Sequence, residues 1–152
     1  MTPGTRDDTA LAFDYGERRI GVALASRSSG TASAIKTIDA KQGTPDWSQL
    51  DALVAEWQPA VIVVGVPYNM DDSESPMTAR ARGFAELLGN RYQLPVETID
   101  ERLTSAEAAM ELREQRRHGV RTRRLRRGDI DRHSARLIAE SWLAAARPDN
   151  QN

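Results

Sequence analysis

The sequence contains no cysteine. That excludes a disulfide framework and any thiolate metal site, and it suits a reducing compartment. Lysine is nearly absent, since Lys36 and Lys41 stand against nineteen arginines. Aromatic residues make up only 5%, which leaves little for base-stacking platforms or for a large apolar interface. No apolar run is long enough to span a bilayer, and the polar first nine residues carry no signal-peptide pattern. The expectation is a cytoplasmic protein with no membrane partner.

A chain of 152 residues fits one domain, which buries roughly 68–70% of its unfolded surface. We expect that domain to span residues 10–146, with disordered tails at 1–9 and 147–152. Ala10 to Tyr15 reads as a buried strand ending at Asp14. After a turn at Gly16–Arg19, strands are expected over Ile20–Ala25 and Ala32–Ile38; turns this short make neighbouring strands antiparallel. Thr44-Pro45 reads as a helix start, a capping hydroxyl followed by proline. Trp47, Leu50, Leu53, Val54 and Trp57 follow at helical spacing, and Pro59 stops them. Val61–Gly65 is continuous and β-branched, the pattern of a central parallel strand.

A second helix is expected over Met77–Arg91, with Ala81, Phe84, Leu87 and Leu88 inward. A last strand follows over Leu94–Ile99. Thr104 to Glu107 forms a capping box for a third helix, Gly119–Gly128 reads as an arginine-rich loop, and a final helix runs from about Ile130 to Ala146. The order β-β-β-α-β-α-β-α-α gives an α/β fold, a mixed five-stranded sheet flanked by helices.

The net charge of −1 hides a segregation. Arg113 to Arg136 holds ten arginines against three acids, a net +7, so the remainder carries −8. A basic stretch on an otherwise acidic protein is the footprint of a polyanion partner, and arginine is the better bidentate grip on phosphate. A solvated helix face beside a loop is the plainer reading of the same run.

Three acidic positions stand at element ends. Alternation in the first strand puts Leu11 and Phe13 on one face, and Ala10, Ala12 and Asp14 on the other. Asp100 and Glu101 close the last strand. Asp131 begins the last helix four residues before Ala135, on the apolar stripe of Ala135, Ile138, Trp142 and Ala145. A carboxylate on that stripe is costly unless paired, protonated or bound to a cation. Acids meeting at one sheet end repel, and a hard divalent cation such as Mg2+ or Mn2+ relieves this without histidine. Two such ions serve phosphodiester hydrolysis. The same residues also suit turn and helix caps, and spacing alone does not decide between the two.

Asp14-Tyr-Gly-Glu-Arg-Arg-Ile-Gly-Val-Ala23 resembles the first motif of the YqgF family, also called RuvX-like, which is associated with pre-16S rRNA processing and Holliday junction resolution. Ile62–Pro67 with Asn69 and Met70 resembles its central strand and loop. Thr78–Arg82 with Phe84, Asp100–Ser105 with Glu107 and Ala108, and Asp131–Ala135 with Ile138 and Ser141 follow in family order. The resemblance covers about Leu11 to Leu143. A lone DxG motif is weak, whereas ordered blocks at these separations are specific.

The resemblance implies a ribonuclease H-like fold, with Asp14, Glu101 and Asp131 as catalytic, metal-binding acids. It implies a metal-dependent nuclease acting in rRNA 5′-end maturation and ribosome biogenesis, with a Holliday junction resolvase-like DNA endonuclease as the alternative. Two positions depart from the family pattern. Asp129 stands where a basic residue is common, which leaves open whether Asp129, like Asp100, also binds metal. Ser134-Ala135 replaces an alanine pair.

Substrate contacts are expected at Gly16, Arg19, Asn69, Thr78, Arg80 and Arg102, and at Arg123, Arg124, Arg126 and Arg127 of the basic loop. Turn geometry or surface ion pairing explains several of these equally well. His118 and His133 read as surface histidines, and Trp47, Trp57 and Trp142 as packing. With one apolar stripe per helix, a monomer is favoured and a weak dimer allowed. The expected partner is structured or single-stranded RNA, with branched DNA second. Two other classes fit parts of the pattern: an actin-like phosphate-binding fold, which needs two such lobes where this chain has one, and a non-catalytic RNA-binding protein.

Overall fold

The computed structural model describes residues 8–69, 71–101 and 127–146, with the side chains of 127–133 and 146 left aside. The capped helix expected from Thr104, together with Arg102, Arg123, Arg124 and Arg126, lies outside the described residues. The described elements are β1 (Thr9–Asp14), β2 (Arg19–Ser26), β3 (Thr31–Lys41), β4 (Thr44–Pro45), α1 (Trp47–Trp57), β5 (Val61–Val66), α2 (Pro76–Tyr92), β6 (Val96–Asp100) and α3 (Arg127–Ala146). They build one sheet in the order β4-β3-β2-β1-β5-β6. β1 to β4 pair antiparallel in sequence, whereas β5 lies parallel to both β1 and β6.

Strand alternation separates two cores. Leu11 and Phe13 face one layer with Ile62, Val64, Leu50 of α1 and Phe84 of α2. Ala10 and Ala12 face the other, with Val63, Ile138, Ala139 and Trp142. The small residues of that second face leave the volume that Ile138 and Trp142 fill, as close packing requires. Ala10 to Phe13 are fully buried, as expected for a strand covered on both sides. No described helix is long and apolar enough to cross a membrane.

The sheet has six strands rather than five. Gln42 and Gly43 both adopt positive φ, 51° and 85°, and they join Lys41 to Thr44 as a two-residue hairpin turn of the type that follows the sheet's twist. β3 therefore runs on past Ile38, and Thr44-Pro45 forms an edge strand rather than a helix start. Proline is tolerated there because an edge strand can spare its N–H. The true cap of α1 is Asp46, whose carboxylate accepts from the Ser48 and Gln49 N–H groups at 3.1 and 3.4 Å.

Three residues expected to face inward lie outside the core, the first being Ala145 of α3, which is exposed. Trp57 is the last residue of α1, just before the left-handed cap Gln58, and is 37% exposed. Leu87 is 47% exposed, while Ala85 is buried in its place. The inward row of α2 runs Thr78, Ala81, Phe84, Ala85, Leu88, and Leu87 falls about 100° off it at 3.6 residues per turn. α3 includes Arg127 and Gly128, so these two belong to a helix and not to a loop.

Candidate active site

Because β1, β5 and β6 are parallel, their carboxyl ends share one edge of the sheet. Phe13 lies beside Val64, Gly65 beside Ile99, and Val66 beside Asp100. Asp14 thus ends β1 next to Gly65, on the α3 face that Ala10 and Ala12 also occupy. Glu101 follows β6 directly.

The centre of this edge is Gly65. A Cβ placed there would sit 2.6 Å from Oε2 and 2.7 Å from Cγ of Glu101, and 2.5 Å from Cδ1 of Ile138. The Glu101 side chain therefore occupies the space that any other residue in the middle strand would fill. From that seat its carboxyl hydrogen-bonds the Asp14 side chain. Burial pushes the Glu101 carboxyl above its ordinary range; the Asp14 hydrogen bond opposes this, and the Asp100 charge adds to it. Two carboxyls in hydrogen-bond contact need a proton or a cation between them. The donor set at this edge is oxygen only, which fits magnesium or manganese and not a soft metal. Among the described residues no three metal-ligating side chains cluster; Asp14 and Glu101 make a pair.

Asp131 belongs to α3. Ile138 touches Gly65 near the carboxyl edge. Trp142, one turn further on, lies under the Arg27 guanidinium at 4.3 Å, and the Arg27 N–H is bonded to the Asp8 carbonyl just before β1. α3 therefore descends from the carboxyl edge to the amino edge. Its early turns, with Asp129 and Asp131 in the backbone two turns or so before Ile138, lie on the carboxyl side of Gly65.

The rim is built from the β1–β2 turn and the start of α2. At Gly16 a Cβ would meet the Arg19 carbonyl at 2.5 Å, so the tight turn requires glycine. Arg19 begins β2 opposite Asp39. Arg80 is ion-paired with Glu17, tying α2 to the turn. Thr78 is fully buried. Its hydroxyl donates to the Pro67 carbonyl and accepts the Ser75 N–H at 2.9 Å in the capping box of α2. Asn69 closes the loop after β5, its Nδ2 donating to Ser73 Oγ at 2.9 Å. The hydroxyl of Thr78 and the amide of Asn69 are thus engaged in shaping the loop between β5 and α2.

Two contributors escaped the sequence reading. The isolated glycine in a β-branched strand was the available signal for Gly65, since such a glycine marks a close approach. Tyr15 carried no signal; its hydroxyl donates to the Gly43 carbonyl at 3.0 Å and its ring lies on Phe84, centroids 4.8 Å apart.

Antiparallel β1–β3 leading into parallel β5 and β6, helices on both faces and acids at the carboxyl edge define a ribonuclease H-like protein. In fold the chain is similar to the yeast mitochondrial Holliday junction resolvase, with a TM-score of 0.55 and 14% identity over 97% of this chain and 85% of that one. The chain belongs to the RuvX family, whose description is Holliday junction resolvase and whose model matches residues 8–145. It is 46% identical to a protein of Pectobacterium atrosepticum named "Putative pre-16S rRNA nuclease", over 90% of this chain and 96% of the relative. It is also 46% identical to a protein of the same name from Marinobacter nauticus, over 92% of this chain and 94% of that protein.

Proposed function

We propose that this chain is a divalent-metal-dependent nuclease that hydrolyses phosphodiester bonds of RNA, with the immature end of 16S rRNA as its substrate and the cytoplasm as its place of action. The observation that carries the reading is the Asp14–Glu101 carboxyl pair seated over Gly65 at the carboxyl edge. Asp14 and Glu101 would hold the ion, with Asp131 of α3 as the third acid. Magnesium or manganese bound there supplies Lewis acidity and offsets charge in displacement at phosphorus. Asp14 and Glu101 fix the geometry: the first is anchored in β1, the second wedged between β5 and α3. Hydrolysis adds water across the P–O bond, leaving a phosphate monoester on one fragment and a hydroxyl on the other. The substrate is drawn from the names of the relatives, and the arginine-rich segment supplies the polyanion attraction.

Asp14→Asn tests this. The variant should retain its circular dichroism spectrum and lose at least about 100-fold in cleavage, the scale for removing a group that acts on the reacting centre. Full activity in the folded variant would refute the carboxylate site. Of the two helix-start acids, Asp131→Asn should be inactive and Asp129→Asn active, because only Asp131 stands on the row of Ala135 and Ile138.

A further inference from the structure

At the carboxyl end of β1, the β1–β2 turn and the start of α2 enclose a shallow cavity of about 280 Å3, lined by Gly16, Glu17, Arg18, Arg19 and Met77 of α2. The backbone of this turn is held by the β3–β4 hairpin. The Gly43 N–H donates to the Glu17 carbonyl and the Ala40 N–H to the Arg18 carbonyl, both at 2.9 Å. Tyr15 adds its bond to the Gly43 carbonyl. Arg18 is therefore rooted at a fixed distance from Asp14, while its side chain stays exposed. Among the described residues Arg18 makes no ion pair. The one acid of the turn, Glu17, is engaged by Arg80, so its charge is offset from outside the cavity. The cavity keeps the positive charge of Arg18.

We propose that this cavity is a phosphate subsite, in which Arg18 grips a backbone phosphodiester of the bound strand next to the one being cleaved. The inference rests on the nuclease reading. A strand with one phosphorus at Asp14 that runs over the edge of the sheet toward α2 lays its next phosphate on the turn following Asp14, and a guanidinium fork matches two phosphate oxygens at once. Gly16 adds no side chain to the lining. The ligand is the diester of a nucleic-acid strand rather than a free anion, because the cavity is open along the rim and has only one engaging cation without a partner in the described fold.

The test uses the full chain carrying Asp14→Asn, which binds without cutting, and a short fluorescein-labelled single-stranded RNA followed by anisotropy across a salt series. Adding Arg18→Ala should weaken binding about tenfold, the worth of one charge-assisted contact. It should also flatten the slope of log K against log salt by about 0.7, the value of one single-strand phosphate. Arg18→Lys should keep the slope and recover part of the affinity, since it restores the charge without the fork. Arg27→Ala removes the same charge at the amino edge of β1 and should leave the slope unchanged. Equal effects of Arg18→Ala and Arg27→Ala, or an unaltered slope in Arg18→Ala, would overturn the subsite. Displacement of the RNA by inorganic phosphate at constant ionic strength and equal phosphate concentration would overturn its assignment to a strand. The nuclease reading fails separately, if the Asp14→Asn chain still cleaves.

Discussion

At Gly65 the middle strand approaches Glu101 and Ile138 more closely than any Cβ tolerates. Gly65→Ala should therefore act twice. Overpacking lowers stability by about 1–3 kcal/mol, read as a shift in the urea midpoint. Displacing Glu101 by even 1 Å reduces cleavage on the order of 100-fold. Adding Ile138→Val opens space on the α3 side only, so the double variant should regain stability while cleavage stays low. Recovery of both together would show that Gly65 serves packing alone. The placement of Asp14 and Glu101 at strand ends was legible from the sequence, because it follows from alternation and from where the strands stop. Gly65 and Tyr15 were not, since their roles depend on what crosses above them from distant parts of the chain. Trp57 misled for a related reason: its spacing matched the helix, and the helix ended beneath it.

Helix α2 begins with a reciprocal cap, Ser75 with Thr78, and Thr78 also reaches back to the Pro67 carbonyl. One buried hydroxyl thus joins the end of β5, the loop and the helix. Thr78→Val keeps the shape and deletes the hydroxyl, leaving the Ser75 N–H without this acceptor. We expect a loss of about 1–3 kcal/mol, the penalty for an unsatisfied buried group, with faster proteolytic cutting between Pro67 and Ser75. Unchanged stability with weaker RNA binding would instead make Thr78 a substrate contact. The helix start at Ser75-Pro76 was nearly read from sequence, one residue late. That of α1 was misplaced because Thr44-Pro45 mimics a cap, and the hairpin signal of Gln42-Gly43 is weak without a known partner strand. Gly128 looks like a loop boundary in the sequence, yet Arg127 and Gly128 lie within α3, because one glycine does not stop a helix that packs along its length.

At the largest scale, the order of the described elements and the two-faced sheet were legible because periodicity reports burial directly, while the sixth strand is too short to carry a pattern. Among the described residues the exposed large hydrophobics are Trp57 and Leu87, on different helices. A symmetric resolvase needs a dimer with matched sites, and two separated side chains supply little of such an interface. We therefore expect light scattering to give a monomer, and cleavage in manganese at low salt to be faster on single-stranded precursor rRNA ends than on four-way DNA junctions. A stable dimer making paired cuts in junctions while sparing the RNA would favour the resolvase. The parallel arrangement of β1, β5 and β6 has a last consequence, for the order of events in synthesis. Asp14 leaves the ribosome early, but its partner Glu101 comes directly after β6, and the helix that walls Gly65 comes later still. Contacts so distant in sequence form late, after the entropy of closing long loops has been met. On the reading proposed here, cutting ability arrives only once α3 has been made, and a copy that stops short of it leaves the RNA around it intact.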